Sequence, residues 1–165
     1  MMMKHCIFNT IGIAAALFLG SCKPAPPTAA PATPVEIGQR IANAKAPLTL
    51  VHVWATWCDP CREEFPELVN IHHTYAGKGL ELILVSADDP AATAEVEAFV
   101  AEHGSPVGSL VATELNQAFI ETLSPDWGGA LPASFFFKGG KIVSEWEGKR
   151  TYEEYAQTIE TLLKP

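Results

Sequence analysis

The chain has 165 residues, a formal charge of −8 and 48% apolar residues. That length suits one domain with short extras, and that apolar share is enough for a core. The acidic balance offers no basic stripe for nucleic acid and reads as solubility.

Residues 1–21 read as an export signal. Lys4 and His5 precede an apolar stretch, from Ile7 to Leu19, that is short for a spanning helix. The stretch closes on Leu19-Gly20-Ser21-Cys22, which resembles the lipobox of bacterial lipoproteins. That resemblance implies that Cys22 is lipidated and becomes the first mature residue. An ordinary signal cut near Ser21 and an uncleaved anchor helix are the alternatives. All three deliver the domain to the same side of the membrane. Lys23, where an inner-membrane lipoprotein has aspartate, leans toward the outer membrane. Residues 22–34 read as anchor and Pro/Ala linker, stiffened toward an extended left-handed helix and spanning up to roughly 35 Å. The domain proper is then expected at 35–165.

Glu36 to Lys45 has helical spacing, with Ile37 and Ile41 on one face. Leu48 to Ala55 is an apolar, β-branched run that predicts a buried strand. Cys58 opens a helix toward Tyr75, with Asp59 and Pro60 in its first positions and Gly77 and Gly79 ending it. Leu80 to Ala87 is a second buried strand, and Asp88-Asp89-Pro90 starts a helix running to His103. Val107 to Ala112 is a third strand and Glu114 to Leu123 a short helix. Ala133 to Lys138 and Lys141 to Glu147 form a hairpin across Gly139-Gly140. Thr151 caps a last amphipathic helix to Leu163. Parallel crossovers followed by a hairpin predict an α/β fold, a mixed central sheet with helices on both faces.

Cys58 and Cys61 form a C-x-x-C where a strand gives way to a helix. The helix start carries partial positive charge and free N–H groups, which stabilise a thiolate. Cys58, at the cap, is therefore the expected nucleophile, and Cys61, one turn in, the resolving thiol. The other cysteines, Cys6 and Cys22, lie in the N-terminal segment. There is no second C-x-x-C, so a zinc ribbon is excluded. His72 and His73 are adjacent on a helix and make a poor metal pair. Neither metal nor cofactor is expected.

The segment VHVWATWCDPCREEFPEL resembles the thioredoxin superfamily, in its TlpA/ResA-like branch of extracytoplasmic thiol–disulfide oxidoreductases. The resemblance extends from about Leu48 to Leu163 and implies a thioredoxin fold. It implies that Pro132, in LPASFFF, is cis and faces the sulfurs, leaving the Leu131 backbone free for a substrate strand. It implies that Glu64 sits near the cysteine pair and influences proton handling; the alternative is a solvated first-turn glutamate. Pro66 matches a helix-kinking proline. Trp57 is expected to cover the disulfide. His52 stands where thioredoxins often have aspartate. It is read either as a satisfied core histidine or as a proton acceptor for Cys61. Trp127-Gly128-Gly129 reads as a shaper of the substrate surface or a plain turn.

The resemblance implies protein disulfides as substrates, apocytochrome c among them, and electrons from a membrane thiol transporter of the DsbD/CcdA kind. A monomer on the periplasmic face of a membrane, held through lipid on Cys22, is expected. Asp59 beside Cys58 makes a thiolate costlier and favours a reductant over an oxidant. Other readings are a Dsb-type oxidant or isomerase, a peroxiredoxin, and a redox-sensing or copper-binding tether. The peroxiredoxin would want threonine where this chain has Ala55; two thiolates can hold Cu(I).

Overall fold

The computed structural model describes residues 27–164; residues 1–21, expected to be an export signal, and Cys22 lie outside them. The strands are β1 (Ala29–Ala32), β2 (Leu48–Trp54), β3 (Leu80–Ser86), β4 (Ser109–Ala112), β5 (Ala133–Lys138) and β6 (Lys141–Glu147). They form one sheet in the order β1-β4-β3-β2-β5-β6. β2, β3, β4 and β1 run parallel, while β5 pairs antiparallel with β2 and β6 antiparallel with β5. The helices are α1 (Pro34–Ala42), α2 (Asp59–Tyr75), α3 (Thr93–Glu102), α4 (Gln117–Leu123) and α5 (Tyr152–Leu163).

Alternation along the strands assigns the helices to layers. From β2, Trp54 meets Phe65 of α2 and Phe99 of α3, and His52 meets Glu64 of α2 and Tyr155 of α5. Phe135 points to the opposite face, where Trp127 links it to Phe119 of α4. α1 packs against α4 and so belongs to that second layer. β2 is buried at all seven positions, as a strand covered on both faces must be.

Several boundaries differ from expectation, most of all at the N-terminal side. Residues 29–34, assigned to the linker, are part of the domain. β1 pairs in parallel with β4, from Ala29↔Ser109 to Ala32↔Ala112. Thr33 then caps α1 in a capping box with Glu36, so this helix begins at Pro34 and ends at Ala42, earlier than Glu36–Lys45. Pro31 lacks an N–H but lies on an edge strand, where that donor is dispensable. Gly108 makes the pairing possible: a Cβ there would overlap the Thr28 carbonyl oxygen. The helix expected from Asp88 is also divided, into a turn at Pro90–Ala92 and α3 proper. The β2, β3, β5 and β6 frames and α5 lie where the apolar patterns predict them.

Candidate active site

β2 ends at Trp54, and the chain reaches α2 through Ala55-Thr56-Trp57-Cys58. Asp88, buried just beyond β3, grips this connection. Its carboxylate accepts the Thr56 backbone N–H at 3.0 Å and the Thr56 and Ser86 hydroxyls at 2.5 and 2.6 Å. Cys58 is the N-cap of α2, and its Sγ accepts the Cys61 backbone N–H at 3.3 Å. Cys58 and Cys61 are joined by a disulfide. Cys58 is 6% exposed and Cys61 fully buried.

The Leu131–Pro132 peptide is cis, and Pro132 leads into β5. Leu131 and Cys58 share the wall of a cleft of about 460 Å³. Trp57, Leu115, Ile120 and Trp127 complete much of its apolar lining. Trp57 is 65% exposed, so its ring stands beside the cleft rather than sealing it. Trp127 is buried, donating its indole N–H to the Ala130 carbonyl at 3.1 Å. The Trp127-Gly128-Gly129 turn therefore forms part of the cleft.

On the other side of α2 the surroundings are polar and sealed. Glu64 is 1% exposed, so it is not a solvated first-turn glutamate. Its Oε1 accepts the Arg150 backbone N–H at 2.7 Å and the Tyr155 hydroxyl at 2.9 Å. The Tyr155 and Ser134 hydroxyls are 2.6 Å apart, and Ser134 Oγ is 3.0 Å from His52 Nδ1. His52 Nε2 faces Glu64 Oε2 at 3.7 Å, and neither atom has a hydrogen-bond partner among the described residues. That separation would admit an ion pair, but burial opposes both charges. It pushes the Glu64 pKa up to about 7, against the lowering effects of the Arg150 N–H, the Tyr155 hydroxyl and the Arg150 and Lys149 charges. It pushes the His52 pKa down to about 3. His52 is thus neutral, and it belongs to this cluster.

Of the residues expected from the sequence, Trp57, Cys58 and Leu131 line the cleft, Cys61 lies one turn into α2, Pro132 follows Leu131, and Glu64 and His52 meet in the buried cluster. Sequence reasoning did not single out Asp88, Ser134 or Tyr155 for the site. A serine in LPASFFF, opposite His52 in the β2–β5 register, was the one signal for Ser134.

Residues 23–145 match the AhpC/TSA family. The thiol-disulfide oxidoreductase ResA of Bacillus thuringiensis (strain Al Hakam) is 32% identical over 115 residues, 69% of this chain and 62% of that protein. The thiol:disulfide interchange protein HelX of Rhodobacter capsulatus is 33% identical over 118 residues, 70% of this chain and 61% of that protein. The chain therefore spans about six-tenths of the length of these curated relatives. Among solved structures, a thioredoxin-related protein from Neisseria meningitidis serogroup B superposes with a TM-score of 0.62 at 20% identity, covering 73% of this chain and 87% of that one. A thioredoxin family protein from Chlorobium tepidum TLS gives 0.60 at 21% identity, covering 71% and 80%. The fold is a thioredoxin fold.

Proposed function

The chain belongs to the AhpC/TSA family, and from that premise and the site geometry we propose that it is an extracytoplasmic thiol–disulfide oxidoreductase that reduces protein disulfides. The observation that carries this is the Cys58–Cys61 pair at the start of α2, open on the Cys58 side to an apolar cleft beside Pro132. In the reduced protein the Cys58 thiolate attacks a substrate disulfide, forming a mixed disulfide and releasing one substrate thiolate. Cys61 then attacks Cys58, closes the internal disulfide and releases the second substrate thiolate. Its proton passes to Glu64, one helical turn further along α2, which near neutral pH is poised to accept it. The substrate strand lies along the Leu131 backbone, with an apolar side chain against Trp57. A peroxide-reducing role is disfavoured by Ala55 in place of threonine.

The N-terminal sequence and the family resemblance support the cellular setting that we propose. Residues 1–21 are an export signal, Cys22 is lipidated, and a monomer works on the periplasmic face. A membrane thiol transporter of the DsbD/CcdA kind keeps the pair reduced, and apocytochrome c is among the substrates. A Cys61→Ser protein tests the core of this. It should accumulate proteins disulfide-linked to Cys58 and released by dithiothreitol, and a Cys58→Ser protein should not. The reduction potential should lie nearer about −270 mV than about −120 mV. No mixed disulfide, or a potential above roughly −180 mV, would sink the reductant reading.

A further inference from the structure

We propose that Glu64, His52, Ser134 and Tyr155 form a closed hydrogen-bonded ring in which His52 changes tautomer each time Glu64 gains or loses its proton. The donors and acceptors of the cluster fix where its hydrogens sit. Glu64 Oε1 already accepts two bonds, from the Arg150 N–H and the Tyr155 hydroxyl. A proton on the carboxyl group therefore sits on Oε2, which faces His52 Nε2. With the Tyr155 hydrogen committed to Glu64, the 2.6 Å contact requires Ser134 to donate to Tyr155. Ser134 Oγ then has only lone pairs to offer His52, so Nδ1 carries the imidazole hydrogen. Nε2 is left bare and aimed at Glu64 Oε2, and both are buried without another partner among the described residues. The circuit runs Glu64 to His52, His52 to Ser134, Ser134 to Tyr155, and Tyr155 back to Glu64. Four hydrogens fill four links. The one long link, 3.7 Å, needs only to close to the usual separation of about 2.8 Å.

Loss of one proton reverses the circuit. Nε2 of His52 now donates to the ionised Glu64, Ser134 donates to Nδ1, and Tyr155 donates to Ser134. Three hydrogens serve four links, so the ionised form leaves one link bare. A proton returning to Glu64 Oε1 restores the first state without rotating any side chain. It moves to Tyr155 while Tyr155 passes its hydrogen to Ser134, Ser134 to His52 Nδ1, and His52 Nε2 to Glu64 Oε2. Nothing is oxidised or reduced in the ring, and the net change is one proton. The charges that reach Glu64 from outside the ring are those of Arg150 and Lys149, in the connection between β6 and α5. His52 and Tyr155 are positioning residues here. Only the use of the proton, on behalf of Cys61, rests on the reductase reading.

The test is nitrogen NMR of the His52 imidazole in the oxidised protein, across the titration of Glu64. Below the Glu64 midpoint Nδ1 should carry the hydrogen, and above it Nε2 should, with the two nitrogens exchanging their protonated and bare shifts. Glu64→Gln, whose amide N–H mimics the protonated Oε2, should fix the Nδ1–H tautomer at every pH between about 5 and 9. An unchanging tautomer in the wild-type protein, or an imidazolium in that range, would overturn the ring whether or not the variant folds. An insulin-reduction assay on the same preparation separates the two claims. Inactivity with a switching tautomer sinks the reductase reading alone, and activity with a fixed tautomer sinks the ring alone.

Discussion

The two sides of α2 are built from opposite materials. Outside Cys58 the cleft is apolar, open and lined by rings and aliphatic chains. Beside Glu64, one turn past Cys61, four polar side chains are sealed together with hardly any exposure. The contrast fits the two halves of the exchange reaction proposed for this site. Meeting a substrate calls for contact without strict direction, which apolar surface supplies to many partners. Moving a proton calls for fixed donors and acceptors, which only a closed and satisfied cluster holds in place. A site that put polar groups in the cleft, or water in the cluster, would do both jobs worse.

Separate variants should therefore damage separate steps. The largest effect is expected from Glu64→Gln. It should slow resolution of the mixed disulfide by about 10²-fold and remove the rise of rate with pH near neutrality, leaving KM unchanged. Stopped-flow kinetics against pH with a disulfide peptide measures both, and a raised KM with the pH profile intact would break the division. Trp57→Ala should do the reverse. Losing a partly exposed aromatic wall should raise KM about 5- to 10-fold for peptides with an apolar residue beside the cysteine, and the pH profile should stay in place.

The smallest effect concerns stability. In the folded protein His52 stays neutral down to about pH 3, whereas the unfolded chain protonates it below 6.5. Stability therefore falls as pH drops through that window. Glu64 keeps its proton in the fold up to about pH 7, whereas the unfolded chain releases it above 4.5. Stability therefore falls as pH rises through that second window. The two slopes oppose each other between pH 4.5 and 6.5, so urea midpoints should form a plateau there. His52→Asn should flatten the acid limb alone, and loss of both limbs would show that the pair cannot be treated as two groups.

Much of the fold was legible because it rests on local patterns. Apolar β-branched runs marked β2 and β3, and glycines at 77, 79 and 104 marked helix ends. The cysteine pair was legible because its chemistry depends on spacing along one helix. β1 was hidden because Ala-Ala-Pro-Ala has neither strand alternation nor β-branching; pairing with β4 across Gly108 gives it its shape. The burial of Glu64 was hidden for a related reason. A glutamate in a first helical turn is normally a surface residue, and what covers this one is Tyr155, 91 residues later. Tyr155 itself lies in the last helix, which the sequence marks only as amphipathic.

The direction of β1 decides at which pole of the sheet the chain enters the domain. β1, β4, β3 and β2 run the same way, and Cys58 lies past the exit end of β2. The chain enters β1 at the other end, where the Thr28 carbonyl accepts the Ser109 N–H at 3.1 Å. Whatever lies upstream is thus fastened to the pole opposite the disulfide. With residues 29–34 inside the fold, six residues separate Cys22 from Ala29 in the sequence. On the proposed anchoring through Cys22, Cys58 lies at the pole of the sheet opposite the point where the chain enters β1.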